Sequence, residues 1–454
     1  MPSIYSPPKC VGIKAIELYF PKCYIDQREF AKFNNQDEKK YLNALGLKEM
    51  AFCDDNEDVC TLALTVTSAL LKNYNIDQNS IGMLVVGTES LIDKSKSVKT
   101  TLMPLFGKNT QIEGVDCKNA CYGGTQALFH AVDWIYSRYE IEGKNAIVIM
   151  SDIAVYEPDS LAECTGGAGA VALLVGPDAP VVLEKSMIST YMSDNFDFYK
   201  PVCGTSCEFP RVDGKDSVEC YLGAVEKCYE EYKRRSKLYL NKESTVQDFY
   251  ATLFHCPYFQ LAKKAFAQIY KMDSNAGMVN GHANHSPVPN GSADGDQKYY
   301  WVQKSNDLML EKVAPFVDFN QRIGNMYTAS LYASVVAVFT CSTCDMNGQR
   351  VLLFSYGSGL ASSMFSLRFE LTTIDQQNEL DKMRKVCIQS KQRLDQRDCK
   401  SPLDYKNAIR RRIEQIQTVG EYKPSAKTDV LFPNTYYIEE IDEACRRKYD
   451  LFSA

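Results

Sequence analysis

The chain is poor in several things, and each scarcity excludes something. Only four histidines and two tryptophans occur among 454 residues. Basic residues do not predominate: Lys and Arg number 51 against 57 Asp and Glu, a net charge of −6, which argues against a general nucleic-acid binder. No apolar run approaches the length of a membrane span. The N-terminal stretch has two adjacent prolines, Pro7 and Pro8, no apolar signal core, and no arginine before Arg28, so it does not read as a targeting leader. Cysteine is plentiful, at 17, but no second CxxC accompanies Cys341–Cys344. A zinc ribbon and a disulfide framework are therefore not expected, and a reducing, cytoplasmic setting is.

What is present reads as α/β. Val11 to Phe20 and Met83 to Val86 suit strands, as do Ala146 to Met150 and the small, apolar run Gly166 to Gly176; Glu57 to Asn73 has helical spacing. Ser217 to Leu240 predicts a helix with one face in solvent. Asp273 to Gln297, rich in Gly, Asn, Ser and Pro, predicts a surface loop; it holds His282 and His285, whose spacing alone makes a poor metal site, and a glycosylation-type triplet at Asn290. A helix with Leu331, Val335 and Val338 on one face follows Arg322 to Thr328. Strands Val351 to Tyr356 and Leu360 to Glu370 come next. The tail from Gln376 reads as charged and helical to Lys448.

One stretch carries chemistry. In Asn119 to Thr125 a cysteine, Cys121, stands before two glycines and a helical run with Leu128, Ala131, Val132 and Ile135. At a helix N-terminus its thiolate form would be favoured, and glycines there would let a substrate approach the backbone. A second polar turn at Gly324 to Thr328 also precedes a helix, an echo compatible with internal duplication. Glu89 follows an apolar strand, where partial burial would suit it as a base. His255 sits at another element boundary, before Cys256 and Pro257. Taken singly, the commoner reading of Cys121 is a buried packing cysteine, of Glu89 a solvated turn residue and of His255 a packed, hydrogen-bonded one.

The motifs around these residues resemble those of 3-hydroxy-3-methylglutaryl-CoA (HMG-CoA) synthases of the eukaryotic cytosolic type. They are Val86 to Glu89 with Ile92 to Thr100, Asn119 to Thr125, Asp152 to Tyr156, Asp197 to Pro201, Phe254 to Tyr258, Gly324 to Thr328 and Phe354 to Gly359, in order along the chain. The resemblance implies a thiolase-like duplicated fold of five layers, α-β-α-β-α, with halves at 1–184 and 185–454, in a homodimer. It implies condensation of acetyl-CoA with acetoacetyl-CoA and water through an acetyl-cysteine, in the mevalonate route, with CoA thioesters as substrates and no metal or bound cofactor. Cys121 would be the nucleophile, Glu89 the base, and His255 the group that polarises the acceptor ketone. Asp37, Asp152, Tyr156, Thr165, Asp197, Ser217, Lys264, Asn325 and Ser358 would organise the site or contact the thioester and its carrier. Departures from the family pattern fall on the carrier-binding rim: Gln260 where a lysine is usual, Glu163 where an arginine is usual, Ser160 and Leu161 near an expected asparagine, and Glu38 to Tyr41. They lead one to expect weaker CoA binding, and leave open a paralogue using another acyl-CoA acceptor or a catalytically silent homologue.

Overall fold

The computed structural model describes residues 5–201, 208–275, 294–341 and 345–453. A ten-stranded mixed sheet runs through it, and its hydrogen bonding repeats a motif. In the first half, Ile81–Gly87 lies parallel to Asn145–Ala154, then Gly167–Gly176 and Gly12–Tyr19 follow antiparallel. In the second, Ala251–Phe254 lies parallel to Arg350–Gly357, then Ala361–Phe369 and Ser189–Met192 follow antiparallel. The short strand Val181–Leu183 pairs with both Gly12–Tyr19 and Ala361–Phe369 and so joins the halves.

A parallel pair needs a crossover, and each half supplies a helix within it. Gly123–Glu142 lies between the parallel strands of the first half, and Ser330–Cys341 between those of the second. The two helices start against one another, with Thr125 Oγ1 2.9 Å from the Tyr332 hydroxyl. The echo between Cys121 and the Gly324 turn thus has a topological basis. Both turns also hold a non-glycine residue at positive φ, Ala120 at 27° and Tyr327 at 44°, each a strain of about 1–3 kcal/mol that surrounding packing must hold.

Several expected elements change. The helix Ser330–Cys341 has no solvent face: Ser330 to Phe339 are all buried, because this helix fills the interior. The strand Gly12–Tyr19 is likewise buried almost throughout rather than alternating. Of the loop expected over Asp273 to Gln297, Asp273 to Asn275 instead close helix Phe259–Asn275 and Asp294 to Gln297 open helix Asp294–Lys304. Asp273 is fully buried, accepting from Tyr229, Lys233 and the Val246 amide at 2.9–3.0 Å. His282, His285, Asn290 and Cys344 lie outside the described residues. The tail forms helices Ile374–Leu394 and Pro402–Gln417 but ends in a hairpin, Thr435–Ile441 with Arg447–Phe452. Its charged run spans the hairpin turn, and Arg447 pairs with the buried Asp58 at 3.2 Å.

Candidate active site

Asp152 is the hub. It lies on the buried strand Asn145–Ala154, and its Oδ1 accepts from Thr88 Oγ1 and the Glu89 amide (both 2.8 Å) and from the Ser90 amide (3.0 Å) and hydroxyl (2.9 Å). Its Oδ2 accepts from the Thr328 amide at 3.1 Å and from the Thr328 hydroxyl. One carboxylate therefore ties the loop after Ile81–Gly87 to the turn at the head of the second-half helix. Those donors favour its charged form, against burial, which raises its pKa.

That clamp withdraws Glu89 from solvent, leaving it 9% exposed and excluding a solvated turn. Its Oε1 is 2.8 Å from Lys200 Nζ, while Oε2 is buried with no hydrogen-bond partner among the described residues. Burial raises the Glu89 carboxyl above its ordinary range, with Lys200 opposing and Asp152 adding to the rise.

Cys121 stands two residues before helix Gly123–Glu142, its thiol beside the Glu89 carboxylate. The expected lowering of its pKa is overturned. Burial first, then the charges of Glu89 and Asp152, push the thiol up, and Lys200 only partly offsets them. A helix end contributes about half a charge, too little against two carboxylates and desolvation. The glycines beside it serve packing rather than substrate approach. A Cβ on Gly123 would lie 2.6 Å from the Cys117 carbonyl oxygen, and one on Gly124 would lie 2.5 Å from Met150 Cγ.

Cys121 opens onto a cavity of 810 Å³ whose wall also holds Tyr156, Thr165, Ser217, His255, Asn325 and Ser358. His255 follows strand Ala251–Phe254; its amide donates to Phe354 (2.8 Å) and its carbonyl accepts from the Tyr221 hydroxyl (2.7 Å). The backbone is thus pinned while Nδ1 has no partner among the described residues, which is not a packed, satisfied ring. Burial lowers its pKa to about 3, so the imidazole is neutral. Asn325 Oδ1 accepts from the Tyr327 amide (2.9 Å) and Ser330 hydroxyl (3.0 Å), and its side chain also meets the Tyr156 hydroxyl, which Thr165 contacts as well.

Other expected site residues fall elsewhere. Asp197 is buried behind the wall, accepting from the Tyr356 hydroxyl (2.8 Å) and the Gly359 amide (3.1 Å). Asp37 and Lys264 are exposed and off the cavity wall, Asp37 capping its own turn through the Lys39 amide. Gln260 donates to the Asn43 carbonyl at 2.9 Å. Glu163 does not face the cavity at all but is held by Lys406. Reading residue by residue missed Lys200, Thr328 and Tyr356, although each lies inside a motif already quoted. Arg211, exposed on the cavity wall, had no sequence signal. Among the described residues no group of His, Cys, Asp and Glu suits a metal ion, and every cysteine is free.

A cysteine open to a cavity, a buried carboxylate and a buried histidine, assembled where two topologically equivalent halves meet, are the arrangement of a condensing enzyme of the thiolase-like class. The chain belongs to the hydroxymethylglutaryl-CoA synthase family: the family's N-terminal and C-terminal sequence profiles match residues 7–180 and 181–451. A Caenorhabditis elegans protein named hydroxymethylglutaryl-CoA synthase is 41% identical over 98% of this chain and 95% of its own. The mouse protein named as the cytoplasmic hydroxymethylglutaryl-CoA synthase is 39% identical over 97% of this chain and 87% of its own. Among solved structures, MvaS in complex with 3-hydroxy-3-methylglutaryl coenzyme A superimposes with a TM-score of 0.83 at 29% identity, covering 98% of this chain and 99% of that one.

Proposed function

We propose that this chain condenses acetyl-CoA with acetoacetyl-CoA and water to give HMG-CoA and CoA. The observation that carries the reading is the convergence of Cys121 and His255 on one cavity, with the Glu89 carboxylate beside the thiol.

Cys121 rests as a thiol. On attack at the acetyl carbonyl the thiol proton leaves with the departing CoA sulfur, giving acetyl-Cys121. Glu89, as a carboxylate, takes a methyl proton; positioned base catalysis contributes about 10²–10⁴-fold. The released electron pair bonds to the ketone carbon of acetoacetyl-CoA. The ketone oxygen becomes an alkoxide and takes the proton that Glu89 has just accepted, which restores the carboxylate. His255, neutral, polarises that ketone by hydrogen bonding rather than by charge. Water then cleaves the Cys121 thioester. The amides of Cys121 and Ser358 are the donors for the enolate oxygen, the Gly357 turn packing directly on Tyr122. Tyr156 and Asn325 orient the acyl groups, Thr165 and Ser217 line the carrier's path, and Lys264 and Asp37 serve its outer end. Asp152 and Asp197 hold the frame. The active form is a homodimer in the cytoplasm, without cofactor or metal. The free cysteines support a reducing compartment, and relatives are named for both cytoplasm and mitochondrion.

The test follows acetoacetyl-CoA at its enolate absorbance, with and without acetyl-CoA, and identifies the product by mass. Consumption that requires acetyl-CoA and yields HMG-CoA supports the reading. No such consumption by folded protein overturns it.

A further inference from the structure

The segment from Asp197 to Lys200 is fastened at several points. Asp197 is bonded to Tyr356 and Gly359 of the turn after Arg350–Gly357, and Phe198–Tyr199 pairs with Arg211–Val212. The Phe198 ring meets Tyr327 edge-on at 6.0 Å between centroids. This anchoring delivers the Lys200 ammonium to one place, 2.8 Å from Glu89 Oε1 and 4.4 Å from the centroid of the Tyr327 ring. A ring face at that distance attracts a cation, so Lys200 has a second hold that does not depend on the carboxylate's charge. Its side chain is 16% exposed and is not on the cavity wall.

We propose that Lys200 is the positioning residue of the base: it holds Glu89 through Oε1 in the carboxylate form and leaves Oε2 as the oxygen that takes the methyl proton. The assignment rests on the reaction proposed above. Among the described residues the groups facing Glu89 are Lys200, Asp152, Cys121, Tyr156 and Tyr327, and Lys200 is the one cation in that set. Without it, Glu89 would sit buried beside a second carboxylate, a situation that favours the protonated acid. A protonated Glu89 cannot accept the methyl proton. When Glu89 is neutral during turnover, the Tyr327 ring keeps Lys200 in place, and the pair re-forms once the proton leaves.

The experiment uses the full chain as wild type, Lys200→Met, Lys200→Gln and Lys200→Arg. Two quantities are measured from pH 5.5 to 9: acetyl loading of Cys121 by mass, and acetyl-CoA-dependent loss of acetoacetyl-CoA. Lys200→Met and Lys200→Gln should still load acetyl, and their condensation should fall at least about tenfold at pH 7. The acid limb of their profile should move about one unit or more toward higher pH, because removing a cation beside a carboxylate raises its pKa by about 1–3 units. Lys200→Arg should return the limb to its wild-type position. An acid limb that stays in place in the two neutral variants overturns the proposal whatever the rate, as does a Lys200→Arg profile shifted like theirs. Wild type without condensation at any pH overturns the reaction itself, a separate outcome.

Discussion

Glu163 is gripped by Lys406 through both carboxylate oxygens, at 2.9 and 2.8 Å, and the pair is closed by Asp159, whose amide donates to Glu163 Oε2 at 2.9 Å. Glu163 is 1% exposed and points away from the cavity. An acid where the family has a base therefore carries no charge onto the substrate path. Its countercharge comes from helix Pro402–Gln417.

Lys406→Met should accordingly cost stability rather than substrate affinity. It leaves a buried carboxylate unpaired, which costs about 3 kcal/mol, the lower end of the range, because Lys406 keeps some contact with solvent. Denaturant midpoints measure the loss, and the KM for either thioester should stay within about twofold of wild type.

The two halves of the reaction should separate by mutation. Cys121→Ser should take no acetyl group and give no condensation. Glu89→Ala should still load acetyl, since removing the neighbouring carboxylate eases loss of the thiol proton, but condensation should drop about 10²–10⁴-fold. Mass analysis of the loaded protein reads the first step, and product formation reads the second. Normal condensation by Glu89→Ala would remove it as the base.

His255 makes acid a threat to the fold. Its pKa is about 3 when folded, below the ordinary 6.5, so the unfolded chain binds an extra proton between those values. Stability due to this group is complete above pH 6.5 and is lost as pH falls, at roughly 1.4 kcal/mol per unit. Comparing urea midpoints of wild type and His255→Gln at pH 7 and pH 5 should show wild type losing on the order of 2 kcal/mol relative to the variant.

Gln260→Lys should restore a cation to the rim beside the cavity residues Pro257, Tyr258 and Leu261. The KM for CoA thioesters should fall severalfold, and that for the corresponding pantetheine thioesters, which lack the nucleotide phosphates, should not change. An equal change with both carriers would mean that the lost Gln260 hydrogen bond to Asn43, not charge, sets the effect.

Much of the fold and site was legible because it is local. The wholly apolar stretch at Ile81–Gly87 and the small residues of Gly167–Gly176 announce buried strands wherever they occur. The turn-then-helix pattern at Cys121 is likewise written in consecutive residues. Periodicity found the helix Ser330–Cys341 but not its complete burial, since the apolar face it marks does not tell whether the other faces are enclosed as well. It failed in the tail, where charged residues of a hairpin pair with distant acids such as Asp58 rather than with neighbours one helical turn away.

The sequence by itself determined the residue types of the chemistry, their motifs and the family they belong to. Only the tertiary structure decided how those residues behave. Glu89, Cys121, Asp152, Lys200 and His255 come from different segments, and their proton affinities depend on which charges become neighbours and how much water is removed. Those quantities are fixed by packing across the chain, so the thiol that a helix end alone would acidify is pushed up by burial first and then by two carboxylates.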